Sequence, residues 1–214
     1  MRIQTEGQAA LVQRVNRRNI MERKIILASK SPRRKELLGG LISEFEVRPD
    51  NSPEVVEEGL SPEETVKRLA LQKAENTAKI SEDNALIIAA DTIVFIDGKI
   101  LGKPKDEEDA AAMLRTLSGR EHHVCTGYAV IDNKTKRSFC SFERTAVHFR
   151  PLTTGEIERY IATKEPMDKA GAYGVQGKGA IFVDYIKGDY FNVVGLPVSA
   201  LSMVLKNQFD FNVL

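Results

Sequence analysis

Apolar positions along this chain alternate between short continuous runs and helical stripes. Ile25-Ile26-Leu27-Ala28 is a compact apolar run and predicts a buried strand. Ser31 and Pro32 then read as the N-cap and first residue of a helix. Leu37 and Leu38 supply its buried face, and Gly39-Gly40 stops it. Phe45-Glu46-Val47 predicts a second short strand. Ser61-Pro62-Glu63-Glu64 opens a longer helix, with acids at the end where the helix dipole favours them. Val66, Leu69, Ala70, Lys73, Ala74 and Thr77 recur at helical spacing, an apolar stripe that Lys73 interrupts. Ala85 to Ala90 is a continuous apolar run ending at Asp91, which predicts a central strand.

Beyond it, Ile93 to Ile96, Asp97-Gly98 and Ile100-Leu101 read as a hairpin with an Asp-Gly turn. Asp106 caps a helix through Leu117, ended by Ser118-Gly119. Val124 to Ile131 and Arg137 to Phe149 form a long antiparallel pair around Asn133-Lys134-Thr135, and Thr153 or Thr154 begins another helix through Ile161. A Gly-rich segment spans Gly171 to Gly179. Two strands are expected on either side of Lys187-Gly188-Asp189, and a last helix from Pro197 to about Phe209. Strands alternate with helices early and pair as hairpins later, so the fold class is α/β with a mixed sheet flanked by helices.

At 214 residues the chain fits one large domain or two small lobes sharing a cleft. Its 31 basic and 30 acidic residues leave a net charge of +1, which argues against a nucleic-acid partner but permits a local basic pocket for a small anion. Aromatics are sparse and Trp is absent, so a base-stacking platform for single strands is not expected. No apolar run approaches the ~20 residues that span a bilayer, and the N-terminus lacks the apolar core of a secretory signal. A cytoplasmic protein without a membrane partner is expected. Residues 1–20 are rich in Gln, Asn and Arg with one acid, Glu6, and read as an N-terminal extension, disordered or from a misplaced start. The working domain is then 21–214. Cys125 and Cys140 match no metal-ligand spacing. They flank the long hairpin and could face each other as a redox pair, although a reducing cytosol favours two separate thiols.

Four places could carry chemistry. The junction Ser29-Lys30-Ser31-Pro32-Arg33-Arg34 puts two hydroxyls and two guanidiniums at a helix start, where free N–H groups and the dipole attract anions. Arg forks match phosphate oxygens in geometry as well as charge. Here a phosphate site is favoured over an ordinary capped helix. No Walker loop occurs in the chain. Asp91 lies at a strand end, where α/β proteins place ligands. On its own it is equally a structural carboxylate, but beside a phosphate site it gains a role in holding Mg²⁺ or activating water. Lys73, on an inner helical stripe, needs an anion, and Lys103 sits on a stiff loop before Pro104. Each is weak alone, since lone lysines usually snorkel to water. The Gly-rich segment from Met167 to Gly177 lets backbone approach a ligand closely, and Gln176 offers a donor and an acceptor to a base edge. A flexible turn is the alternative. His122, His123 and His148 have no ligand spacing and read as strand residues.

These segments together resemble the Maf family. Ile26-Leu27-Ala28-Ser29-Lys30-Ser31-Pro32-Arg33-Arg34 is similar to its opening motif and Ala90-Asp91-Thr92-Ile93-Val94 to its central acid motif. Leu101-Gly102-Lys103-Pro104, Leu117-Ser118-Gly119-Arg120, the block from Glu165 to Gly177, and Val194-Gly195-Leu196-Pro197 match further blocks in order, from residue 24 to about 209. The resemblance implies an elongated, two-lobed fold like that of the inosine triphosphate pyrophosphatases, with a nucleotide cleft between lobes. It implies hydrolysis of a nucleoside triphosphate between the α- and β-phosphates with a divalent metal, Mg²⁺ or Mn²⁺. Carried over by motif, Asp91 is the catalytic acid-base residue and a metal ligand. Ser29, Arg33, Arg34, Lys73 and Lys103 hold phosphates, and Glu54 is a second carboxylate near the metal. Relatives often carry Asp-x-Asp-Glu where this chain has Asn51-Ser52-Pro53-Glu54, so metal binding leans on Asp91. Arg33, Thr92 and Gln176 match the branch acting on dTTP and UTP. The alternatives are a pyrophosphatase of 7-methyl-GTP or of a broad set of modified nucleotides, and a nucleotide-binding regulator of septum formation. A homodimer is left open.

Overall fold

The computed structural model describes residues 23–53, 57 and 59–214. Glu54 and the 1–20 extension lie outside the described residues. Seven strands form one mixed sheet: β1 (Lys24–Leu27), β2 (Glu46–Val47), β3 (Ala85–Ile96), β4 (Lys99–Leu101), β5 (Glu121–Asp132), β6 (Ser138–Phe149) and β7 (Val183–Lys187). Their order is β2-β1-β3-β5-β6-β7, with β4 paired to β3. β1 runs parallel to β2 and β3, and the remaining pairs are antiparallel.

The helices begin where the capping residues require. α1 (Pro32–Gly39) starts with the Ser31 hydroxyl accepting from the Arg34 N–H. α2 (Pro62–Lys79) carries a complete capping box between Ser61 and Glu64. Asp106 caps α3 (Glu107–Leu117), and Thr153 caps α4 (Thr154–Ala162). The Asp97-Gly98 turn has both residues at positive φ, 51° and 73°, the conformation a two-residue hairpin needs. Only one strand, β7, adjoins Lys187-Gly188-Asp189, not two. Asp189 accepts from the Phe191 N–H and starts a helical turn, α5 (Tyr190–Val194), before α6 (Val198–Phe209). The Gly-rich stretch forms three short 3-10 turns between Glu165 and Phe182.

Alternation along β3 distributes its side chains between two layers. Ala85, Ile87 and Ala89 pack against Ala70 and Ala74 of α2. Leu86, Ile88 and Ala90 pack on the opposite face with α1 and α6. Further along β3 the partners change. Ile93 and Phe95 join Val66 and Cys125, while Val94 and Ile96 join a separate core built from α3, α4 and Phe149. The polar pair Asp91-Thr92 stands where one set of cores hands over to the other. The chain is therefore built on two lobes that share one sheet.

Cys125 and Cys140 do not face each other. The β5–β6 register pairs Cys125 with Arg144 and Ala129 with Cys140, so the thiols are four residues out of step, roughly 13 Å along a strand.

Candidate active site

β3 does not end at Asp91; it runs on to Ile96. The opening at Asp91 arises from its neighbours. β5 lines one edge of β3 from Leu86 to Phe95. β1 and β4 share the other edge, β1 pairing up to Ile88 and β4 only from Val94. Between them, Ala89 to Ile93 has no strand partner on that edge among the described residues. The gap behaves as a strand end would, and a cavity of about 740 Å³ opens there.

Asp91 is 8% exposed and points towards α2. Lys73 donates to its Oδ1 at 2.5 Å, which gives the interrupted stripe of that helix its buried anion. The pairing depends on how closely α2 lies on the sheet. Gly127 is opposite Asp91 in the β3–β5 ladder. A Cβ added there would stand 2.2 Å from the Val66 carbonyl oxygen, so the helix backbone rests directly on the strand. A glycine inside a strand signals such an approach.

Thr92 faces the opposite layer. Its hydroxyl bonds Arg34 Nη2 at 2.9 Å and the cross-strand Thr126 hydroxyl at 2.9 Å. Arg34 also donates through Nε to the Gly195 carbonyl at 2.8 Å and through Nη1 to Ser29 Oγ at 3.3 Å. Thr126 continues this buried network to the Asn192 carbonyl, and Asn192 to Thr145. Thr92 thus holds Arg34 in place as well as lining the cavity.

The other expected residues line the same cavity: Ser29, Arg33, Lys103 and Gln176. They come from α1 and its preceding loop, the turn after β4, and the Gly-rich turns. Arg33 lies 3.9 Å from Asp168, which lines the same cavity. Asp168 and Lys169 were not singled out from the sequence, although both lie in the Gly-rich block. Burial works to raise the Asp168 carboxyl. A hydrogen bond from Lys169 and the charges of Lys169 and Arg33 outweigh it and bring the carboxyl below its usual range. Asp50 also lines the cavity. Burial raises it too, but bonds from Ser52 and Asn76 and the Lys73 charge hold it low.

Among the described residues, no group of three or more Asp, Glu, His or Cys could cage a metal ion. Mg²⁺ needs less: one or two carboxylates together with substrate phosphates. Asp91 and Asp50, hard oxygen donors on one cavity wall, fit an ion carried in with a polyphosphate. His122, His123 and His148 lie on β5 and β6, as expected of strand residues.

Such a cleft, with Arg33, Arg34, Lys73 and Lys103 around the buried Asp91, has the charges that a polyphosphate ligand would require. The Maf-like protein family model matches residues 24–208, and the chain belongs to that family. It is 53% identical over 192 residues to a dTTP/UTP pyrophosphatase of Alkaliphilus oremlandii, covering 90% of this chain and all of that one. It is 57% identical over 186 residues to a protein of the same name from Carboxydothermus hydrogenoformans, covering 86% of this chain and 97% of that one. Among solved structures, a HAM1 protein from Coxiella burnetii aligns with a TM-score of 0.49 at 18% identity, over 86% of this chain and 98% of that one. A likeness that distant adds nothing to the assignment. No helix among the described residues is long and apolar enough to cross a membrane.

Proposed function

We propose that the chain is a nucleoside triphosphate pyrophosphatase that hydrolyses dTTP and UTP to the monophosphate and pyrophosphate, and that residues 21–214 form the working unit. The family match over 24–208 and relatives of that name above 50% identity support the reading. One structural observation carries it: the Lys73–Asp91 pair sits in the gap of the sheet, on the same cavity as Arg33, Arg34 and Lys103.

Lys73 occupies one oxygen of Asp91, leaving the other for a water. Asp91 takes a proton as that water bonds to the α-phosphorus. The bond from the α-phosphorus to the bridging oxygen breaks, and pyrophosphate leaves. Arg33 and Lys103 receive its charge from the two walls of the cleft. Arg34, fixed by Gly195, Ser29 and Thr92 before any ligand enters, requires no reorganisation at that moment. A divalent ion held by Asp91, with Asp50 or Glu54, would neutralise further phosphoryl charge. Gln176, exposed at the cavity rim, meets the base edge.

The test is pyrophosphate release from dTTP, UTP and 7-methyl-GTP with and without Mg²⁺, for the wild type and Asp91→Asn. We expect dTTP and UTP to be preferred and Asp91→Asn to lose about 10²–10⁴ in kcat. An Asp91→Asn protein at near wild-type rate would refute the assignment. Preferred turnover of 7-methyl-GTP would move the protein to the other branch, and tight nucleotide binding without turnover would make it a regulator.

A further inference from the structure

The wall of the cleft that carries Gln176 is folded around one carboxylate. Glu165 accepts from the Lys178 N–H at 2.9 Å through Oε2. Through Oε1 it accepts from the Gly179 N–H at 3.2 Å and the Tyr160 hydroxyl at 3.0 Å. The Tyr160 oxygen in turn accepts from the Gly174 N–H at 3.2 Å. Backbone on both sides of Gln176 is thereby tied to the Glu165–Tyr160 unit. Three bonds to an ionised acceptor make a strong anchor.

The glycines of this loop serve that wrapping. None of Gly174, Gly177 and Gly179 has the positive φ that glycine uniquely favours. Each is instead crowded. A Cβ at Gly177 would stand 2.2 Å from Glu165 Oε1, one at Gly179 2.6 Å from the Tyr160 hydroxyl, and one at Gly174 2.8 Å from Lys169 Cε. The side chain of Gln176 is exposed, with no hydrogen bond among the described residues. The loop backbone sets the point from which that side chain reaches.

We infer that Glu165 is a positioning residue for base recognition: its carboxylate is the post around which residues 174–179 are wound, and it sets how far the Gln176 backbone stands from the phosphate end of the cleft. A purine places its outer edge about a ring's width farther from the sugar than a pyrimidine does, so where the loop sets the Gln176 backbone decides which base edge its amide can reach. This inference rests on the pyrimidine triphosphate reading above.

The test measures kcat and KM for dTTP, UTP and 7-methyl-GTP, together with the Ki of inorganic tripolyphosphate, which has no base. In Glu165→Gln an amide NH₂ replaces one accepting oxygen and meets a donor. The expected result is a rise of about tenfold in KM for dTTP and UTP, a matching narrowing of preference over 7-methyl-GTP, and a tripolyphosphate Ki within about twofold of wild type. Tyr160→Phe, which keeps the ring and removes only the hydroxyl, should shift the same quantities in the same direction by less, and serves if Glu165→Gln does not fold. Wild-type selectivity in the folded variants overturns the inference, as does a tripolyphosphate Ki that rises in step with the dTTP KM. A wild-type protein that fails to turn over dTTP or UTP overturns the pyrimidine reading and this inference with it.

Discussion

Gly127→Ala is the sharpest perturbation of the geometry at Asp91, because it adds one methyl group and touches no residue assigned to chemistry. The new Cβ would lie 2.2 Å from the Val66 carbonyl oxygen, 2.3 Å from its carbon and 2.7 Å from the Lys67 nitrogen. All three are helix backbone, so no side chain can swing away. To restore ordinary contact α2 must lift by about 1 Å, and overpacking of this kind costs about 1–3 kcal/mol. For a chain of this size that is a fall in Tm of about 2–12 °C. Lys73 lies two helical turns beyond Val66 and rises with it, stretching the 2.5 Å contact of its ammonium with Asp91 to about 3.5 Å, the limit of a hydrogen bond. A misplacement of about 1 Å can cost on the order of 10²-fold in rate. Gly98→Ala is the control. Gly98 has φ of 73° but nothing within 4 Å of an added Cβ. It should lose about 1 kcal/mol to strain and keep its kcat. The assay pairs thermal melts with pyrophosphate release for both variants. A Gly127→Ala protein with wild-type Tm and wild-type kcat would show that α2 does not rest on the strand as described.

Burial lowers the His122 pKa to about 3, with the neighbouring His123 charge acting in the same sense. The unfolded chain binds a proton near pH 6.5, so it holds more protons than the native state between these values, and the stability from neutral His122 is complete above pH 6.5 and lost as pH falls. At pH 5 the loss is about 2 kcal/mol. His122→Gln, which can still meet the Tyr173 hydroxyl, should lose that much less than wild type between pH 7.5 and pH 5 in denaturant titrations. Parallel pH profiles would contradict the assignment. Burial also pushes the Cys125 thiol up to about 12 and raises Cys140. Native protein at pH 8 should therefore react slowly with a thiol reagent, and both cysteines should react on unfolding. Rapid labelling of both thiols in the native state would contradict this.

Much of the fold is legible in the chain because its local signals agree. Ser31, Ser61, Asp106 and Thr153 cap the helices they appear to open, and Asp97-Gly98 makes the turn its chemistry demands. The expected site residues within the described part of the chain converge on one cavity, since order along motifs implied proximity that spacing alone does not. What was misread depends on neighbours distant in sequence. Asp91 looks terminal because the apolar run stops there, yet β5 holds β3 in register for several more residues. The Lys187-Gly188-Asp189 stretch resembles a hairpin, but Asp189 spends its side chain on a helical cap. The cysteines lie on either side of one turn, Cys125 eight residues before Asn133 and Cys140 five after Thr135, and the register puts them four residues out of step. In the sequence Glu165 is only the first residue of the block that runs to Gly177. An acid before a run of tightly spaced glycines was the available signal, but which N–H groups it gathers is decided by the loop's path.

The most direct measurement is hydrolysis of dTTP in H₂¹⁸O with products resolved by mass spectrometry. Attack at the α-phosphorus, positioned by Asp91, predicts ¹⁸O in thymidine monophosphate and unlabelled pyrophosphate, with both lost in Asp91→Asn. Thymidine diphosphate with labelled inorganic phosphate would contradict the account.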